Sequence, residues 1–257
     1  MGENIKLFNF ILVSAMLLIF AETFSYAQEK EVNNGTDPTK LATAVLVQYK
    51  YTELLTNDST GLFEAQYTHP IGALKNKSLT VNIPYASGVV DDDFGLGDLS
   101  LKFTHVAALN SQRGLAYTAE AIFDTADRNE LGTGQTVLKV SGFYAKFLKG
   151  GNIFAPALVH QIDLSNNKDR SNVNNTTLDL YYVPKLTNPN YFLTFDPAVT
   201  SDWENNREYV SLTVTLGRML GKAFGGDSQV YIKPQILGGS ERPVDWTIQV
   251  GYKVIGF

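Results

Sequence analysis

The chain contains no cysteine. This absence excludes a disulfide framework, a thiolate metal site, a thiol nucleophile and a lipid-attachment cysteine behind an export signal. Basic residues are also scarce: 21 Lys and Arg stand against 26 Asp and Glu, which gives a net charge of −5. Neutralising a phosphate backbone needs an excess of positive charge, so the composition argues against nucleic acid as a partner.

Long apolar runs are absent too. The most apolar stretch, Leu7–Phe20, has about fourteen residues, fewer than the roughly twenty that a helix needs to cross the hydrocarbon core. Lys6 precedes it, and the small-residue pattern Ser25-Tyr26-Ala27 follows. These features predict a cleaved signal peptide over residues 1–27. A polar N-terminal lead follows over 28–40, and residues 41–257 form the main domain.

From residue 41 onward, apolar and polar residues alternate with the period of two that is typical of strands. We predict about twelve strands, each near the roughly nine to eleven residues with which a tilted strand crosses a bilayer. The predicted strands are Leu41–Thr52, Gly61–Ile71, Lys77–Tyr85, Asp98–Ala108, Gly114–Asp124, Gln135–Phe147, Asn152–Leu164, Thr177–Lys185, Tyr191–Ser201, Glu208–Leu216, Gln229–Ile236 and Asp245–Phe257.

The predicted connections mostly alternate between long and short, as in outer-membrane barrels, with the termini on the side of the short turns. One predicted turn on that side, Met219–Ser228, is long and breaks the rule. Proline cannot donate to a strand ladder, so Pro156 and Pro197 are expected to lie at bulges.

Charged residues in the middle of the predicted strands all fall on the polar face. A basic residue facing lipid at mid-depth costs roughly 2–4 kcal/mol, so a barrel turns such residues into its lumen. A soluble sandwich would bury the apolar face instead, and alternation alone leaves both open. The predicted lumen-lining residues are Lys50, Glu64, Lys102, Glu120, Asp179, Asp196 and Lys233.

Aromatic residues near the strand ends favour the barrel, because aromatic girdles mark the two membrane interfaces. They are Tyr51, Tyr85, Phe123, Tyr182, Tyr191, Trp203 and Trp246. The fold class is therefore predicted as all-β, a transmembrane antiparallel up-and-down barrel of about twelve strands. Its expected location is the outer membrane of a Gram-negative bacterium.

Several short motifs, taken in order, resemble an outer-membrane transporter family described as part of a MetA pathway of phenol degradation. They are Phe94-Gly95-Leu96-Gly97-Asp98-Leu99, Gly132-Thr133-Gly134, Val214-Thr215-Leu216-Gly217-Arg218, Lys222-Ala223-Phe224, Tyr231-Ile232-Lys233-Pro234-Gln235 and Pro243-Val244-Asp245-Trp246-Thr247-Ile248-Gln249-Val250. The terminal Phe257 resembles the signal by which such barrels are recognised by their assembly machinery, although it lies off the apolar face of the last strand. A bulge near Gly256 would return the Phe257 side chain to the apolar face.

Candidate chemical sites are weak. His69, His105 and His160 lie in separate strands without zinc-site spacing. An outer-membrane phospholipase would need a serine beside a histidine on the outer wall, and His105 has no serine two residues away in the sequence. Asp91-Asp92-Asp93 lacks calcium-loop spacing and is better interpreted as a hydrated loop. We therefore expect no catalytic residue, no metal and no cofactor.

The sequence predicts passive passage of small solutes, with hydrophobic or aromatic compounds implied by the resemblance. The expected partners are outer-membrane lipid, the barrel-assembly machinery and the solute. A structural or adhesive barrel that binds a partner through its loops is the alternative from another class. An outer-membrane lipid-modifying enzyme is the third.

Overall fold

A computed structural model of the protein describes residues 34–89, 93–165, 170 and 172–257. The predicted signal peptide lies outside the described residues, as do Asp91 and Asp92. The strands are β1 (Ala44–Glu53), β2 (Ser59–Ile71), β3 (Lys77–Ser87), β4 (Phe94–Leu96), β5 (Ser100–Leu109), β6 (Arg113–Ile122), β7 (Val137–Phe147), β8 (Ile153–Asp163), β9 (Asn174–Val183), β10 (Tyr191–Asp202), β11 (Arg207–Ala223), β12 (Gly226–Gly238) and β13 (Trp246–Ile255).

The strands close into one barrel. Each pairs antiparallel with its neighbours, and β1 pairs with both β2 and β13. Both β4 and β5 pair with β3, so they are two halves of one wall strand that is interrupted at residues 97–99. The wall therefore has twelve strands, and the predicted fold class is confirmed. Among the described residues, no helix is long and apolar enough to span a membrane.

The apolar side of the wall faces outward. Val47 is 51% exposed and Ile83 is 48% exposed, whereas Thr80 and Thr213 on the other side are each 5% exposed. A soluble sandwich would show the reverse, because it buries its apolar side chains between two sheets. Closure together with this orientation distinguishes the barrel from the sandwich that alternation had left open.

The connections define two different ends, which we call the loop end and the turn end. At the turn end, residues 72–76, 110–112, 148–152, 184–190 and 224–225 join the strands, and both β1 and β13 have their terminal sides there. The longest connection lies at the loop end, where residues 123–136 form the β6–β7 loop. Five of the seven predicted girdle aromatics are exposed: Tyr85, Phe123, Tyr191, Trp203 and Trp246.

The predicted long turn Met219–Ser228 is wrong. Strand β11 continues to Ala223, and β12 begins at Gly226, which leaves a two-residue hairpin. Phe224 and Gly225 both have positive φ, as hairpin turns of this length require. The register shifts between Met219 and Gly221. This bulge shifts the alternation of inward and outward side chains by one position. The regular alternation in the sequence therefore stops before the strand does.

The two mid-strand prolines do not lie at bulges, contrary to expectation. Pro197 pairs with Leu212 in an unshifted register with β11, and Pro156 pairs with Leu180. On the other side of each proline, the register is the same before and after a short gap in the ladder. The wall therefore accommodates each proline by leaving out a ladder hydrogen bond, without the extra residue that a bulge would insert.

At the C-terminus, Gly256 has a φ of 78° and Phe257 is 46% exposed.

Candidate functional site

The seven predicted charged residues occupy inward-facing positions of their strands. Glu64 lies opposite the buried Gln48, and Asp196 lies opposite the buried Thr213. Asp179 lies opposite the buried Ala198. The remaining four lie at the same parity: Lys102 faces Glu120, and Lys50 and Lys233 flank Gln249.

One wall of the lumen carries a row of alternating charge. Lys102 on β5, Glu120 on β6 and Lys139 on β7 are directly opposite one another in register. The Ser100 hydroxyl donates a 2.7 Å hydrogen bond to Glu120 Oε1. Opposite charges on neighbouring strands stabilise the sheet, and here they also place a carboxylate between two ammonium groups.

A hydrogen-bonded chain of side chains crosses another part of the wall. The Tyr231 ring lies over Gly251, and its hydroxyl donates to Gln48 Oε1. Gln48 Nε2 donates to Glu64 Oε2, and Asn82 Nδ2 donates to Glu64 Oε1 at 3.2 Å. This chain joins four strands, so the position of Glu64 is fixed by neutral donors.

The acidic pair on β9 and β10 lies within electrostatic reach of two basic residues. The Asp179 carboxylate interacts electrostatically with Asp196, Lys139 and Lys233. Asp196 Oδ1 is enclosed and has no hydrogen-bond partner. Within the part of the chain that the structure describes, no two of the seven predicted residues form an ion pair within 4.0 Å. The charges line the interior without neutralising one another by direct contact.

The lumen is occupied at its turn end by the segment before β1, residues 34–43, which we call the lead segment. Thr36 and Thr39 are buried. The Tyr181 hydroxyl on β9 donates to the Thr36 carbonyl at 3.2 Å. Thr39 packs so closely on Gly114 of β6 that a Cβ there would lie 3.5 Å from the Thr39 Cβ. The lead segment also contacts β13, because Gly35 lies beside Lys253 and Ile255.

The inner wall around the lead segment is apolar. Ala145, Ile153, Ala155 and Val183 form a buried cluster, against which Phe147 and Tyr181 pack. These side chains point inward from β7, β8 and β9. The interior is therefore charged along its middle and apolar near the turn end.

The three histidines lie on the outer side of the wall, each beside a hydroxyl group. His105 Nδ1 contacts the Tyr117 hydroxyl, and Nε2 lies 3.2 Å from Asn76 Nδ2. His160 lies 3.0 Å from the Thr176 hydroxyl, and His69 lies 3.3 Å from the Tyr67 hydroxyl. No group of three or more His, Asp or Glu suited to a metal ion occurs among the residues described.

A groove of about 660 Å³ lies on the outer wall, near Val47, Leu216, Ile232 and Val250. Its lining comes mainly from the apolar face of the strands, which is the face that lipid would cover. We place the candidate site inside the barrel, where the charged side chains are.

Sequence reasoning missed two interior residues. Lys139 escaped notice because its face of β7 also carries Val137, Phe143 and Ala145, so the alternation of polarity is blurred. Lys253 is the second residue, and its ammonium group is close enough to Lys102 for the two charges to repel each other. Its position on the polar face of the last predicted strand was a usable signal.

Neither a protein-family model nor a curated protein matches the chain. Solved structures do. The COG4313 outer membrane channel from Pseudomonas putida F1 has a TM-score of 0.68 at 14% identity, covering 88% of this chain and 100% of the other. The KdgM porin has a TM-score of 0.59 at 8% identity, covering 82% of this chain and 98% of the porin. The NanC porin has a TM-score of 0.58 at 11% identity, covering 84% of this chain and 100% of the porin. At these identities the likeness concerns the fold: this chain has the barrel fold of outer-membrane channels and porins.

Proposed function

We propose that the protein is a channel for the passive passage of small solutes across the outer membrane of a Gram-negative bacterium. The observation that carries the proposal is the contrast between the two faces of a closed wall. The outer face is apolar and fits lipid. The inner face bears the seven predicted charged residues, no two of which form an ion pair in the described part of the chain. Charged rings and polar linings are the means by which channels select solutes.

The solute class follows from the two zones of the lumen. The middle zone, with Lys102, Glu120 and Asp179, suits small polar or charged groups. The apolar zone near Tyr181 and Phe147 suits a ring or a short hydrocarbon. A small aromatic compound with one polar group would meet both requirements. The phenol-pathway family that the sequence motifs resemble is consistent with such a solute.

Planar bilayer recording tests the proposal. Purified protein is expected to give discrete conductance steps, and Lys102→Ala or Glu120→Ala is expected to alter their size. Asp58→Ala, in the exposed β1–β2 hairpin, is the matched control and should leave the steps unchanged. Absence of any conductance, together with no swelling of liposomes in small solutes, would exclude the channel.

The same preparation tests the alternatives. A structural or adhesive barrel would be silent in both assays yet bind a partner through its loops. We propose no enzymatic role, and turnover of phospholipid by the purified protein would contradict this. We further propose that outer-membrane lipid surrounds the apolar face. The assembly machinery is proposed to recognise the last strand, which ends at Ile255, two residues before Phe257.

A further inference from the structure

Two of the sequence motifs meet in space although they are far apart in the chain. Asp98, from the break between β4 and β5, inserts its carboxylate into the β6–β7 loop next to Gly132 and Thr133. Asp98 is 8% exposed. The barrel wall alone does not explain this contact, because regular pairing of β5 with β3 and β6 begins only at Ser100.

Three backbone N–H groups of the loop donate to the Asp98 carboxylate. Thr125 and Ala126 donate to Oδ1 at 3.1 and 3.2 Å, and Thr133 donates to Oδ2 at 2.6 Å. The Thr133 hydroxyl lies 3.0 Å from Oδ2 and 2.7 Å from the Gln135 carbonyl, and its single proton serves one of them. The carboxylate thus joins the start and the end of the loop, and hydrogen bonds to an ionised acceptor are among the strong ones.

The loop lies on the lumen side of the wall. Gly95 pairs with Ala86, which is at the inward parity of β3, and a Cβ at Gly95 would lie 2.6 Å from Leu131 Cδ1. Leu131 is buried at 7% exposure and belongs to the short 3-10 helix Asn129–Leu131. The loop therefore folds inward over β4 and narrows the barrel at its loop end.

The same segment is tied to the broken wall strand at further points. Asp127 Oδ2 accepts from the Leu96 N–H at 2.8 Å, and the Leu99 N–H donates to the Thr125 hydroxyl at 2.9 Å. The interruption at residues 97–99 is thus the place where the wall gives its hydrogen-bonding groups to the loop. In a continuous strand, the backbone N–H groups of Leu96 and Leu99 would instead bond to the neighbouring strand.

We propose that Asp98 is a positioning residue that fixes the β6–β7 loop inside the barrel and so sets the size limit of the solutes that pass. Its replacement releases the loop and widens the loop end. The size limit depends on the channel function proposed above, whereas the fixing of the loop does not.

Cysteine accessibility measures release of the loop directly, because the chain has no cysteine of its own. Leu131→Cys serves as a buried reporter, and Glu130→Cys serves as an exposed one. Asp98→Asn is expected to raise the rate of maleimide labelling at position 131 by about tenfold or more, since each bond to a charged acceptor is worth on the order of one factor of ten. Labelling at position 130 should stay fast throughout.

A second variant reaches the same contact from the loop. In Gly132→Ala the new Cβ would lie 2.5 Å from Asp98 Oδ1, so it should release the loop with Asp98 still present. Gly142→Ala is the matched control, because a Cβ at that position meets no atom within 4 Å. Asp58→Asn is the control for Asp98→Asn. Altered mobility of heated against unheated protein reports whether each variant is folded.

Swelling of liposomes in a small and a larger sugar measures the size limit. Asp98→Asn and Gly132→Ala are expected to raise the ratio of the larger-sugar rate to the small-sugar rate. Poor folding would lower both rates equally and leave this ratio unchanged.

The two readouts separate the two proposals. If the folded wild type neither conducts nor admits sugars, the channel function fails while labelling still decides the role of Asp98. If Asp98→Asn and Gly132→Ala label at position 131 as slowly as wild type, the positioning role is overturned. If labelling rises and the sugar ratio does not, Asp98 fixes the loop but the size limit lies elsewhere, and the proposal is overturned in that part.

Discussion

The two ends of the lumen are narrowed by different kinds of contact. At the loop end, the buried Asp98 carboxylate binds backbone N–H groups of the β6–β7 loop. At the turn end, the lead segment bonds partly within itself: Asp37 accepts from the Thr39 N–H and hydroxyl, and Lys40 lies 3.7 Å from Asp37. The lead segment is held to the wall by the packing of Thr39 on Gly114 and of Gly35 on Lys253 and Ile255. Hydrogen bonds also join the two, from the Tyr181 hydroxyl to the Thr36 carbonyl and from the Gly256 N–H to the Thr43 carbonyl.

This difference predicts which element can move. Withdrawal of the β6–β7 loop would leave a carboxylate and several N–H groups without partners, and unmade hydrogen bonds in a buried setting are costly. The lead segment keeps its internal bonds at Asp37 when it leaves, and it gives up the neutral hydrogen bonds from Tyr181 and Gly256. The turn end should therefore be the mobile barrier, and the loop end should be the fixed one.

The largest effect is expected when both barriers are removed together. Two narrow zones in series add their resistances, so relieving one leaves the other in control. If they resist equally, Asp98→Asn or deletion of residues 28–40, which follow the predicted signal peptide, raises conductance at most about twofold each. The combined variant should exceed the product of the two. Single-channel recording in planar bilayers measures all three against wild type.

Deletion of the exposed hairpin residues Asn57 and Asp58 is a control for shortening the chain, and it should leave conductance unchanged. A combined variant no more conductive than the better single variant would show that only one barrier exists. The comparison between the ends would then fail.

A disulfide between the lead segment and the wall should produce the next largest effect. The built Cβ of Gly114 lies 3.5 Å from the Thr39 Cβ, within the usual range for a disulfide. Thr39→Cys combined with Gly114→Cys should therefore hold the lead segment in the barrel when oxidised. We expect its mean conductance to be lower than that of the reduced form, on the order of twofold.

Each single-cysteine variant is a control and should not respond to a reducing agent. Equal conductance of the oxidised and reduced double variant would mean that the lead segment is a fixed part of the wall. In that case both ends would be static, and mobility would not distinguish them.

The same contrast explains which features the sequence could predict. Alternation predicted the wall, because lipid outside and water inside impose opposite demands on successive residues. It worked well for β5, where Lys102 and Thr104 oppose Leu101 and Phe103. It worked poorly for β7, whose inward face includes Phe143 and Ala145. That face packs at the plugged turn end, where the interior is not uniformly polar.

Contacts between distant segments were beyond a local pattern. The Asp98 carboxylate reaches residues 125–133, and nothing in the spacing of these residues indicates which ones will meet. The hairpin at Phe224 and Gly225 was also missed, because the bulge near Gly221 shifts the alternation by one position. The wall was therefore predictable from alternation, whereas the positions of the β6–β7 loop and the lead segment are visible only in the folded structure.

The smallest effect is expected between the two barriers, where charge and not width decides passage. Glu120 lies between Lys102 and Lys139 in register, so Glu120→Gln leaves two positive charges on either side of a neutral residue. The reversal potential in a salt gradient should shift toward anion selectivity by a small amount. The shift should shrink from 0.1 M to 1 M salt, because the Debye length falls from about 10 Å to about 3 Å.

Glu204→Gln, in an exposed connection at the loop end, removes the same charge outside the lumen and should leave the reversal potential unchanged. If both variants shift it equally, the selectivity arises at the loops. If neither does, ions do not pass Glu120, and the charged row between Lys102 and Lys139 only stabilises the wall. A shift confined to Glu120→Gln places the permeating ion beside this row, between the fixed barrier and the mobile one.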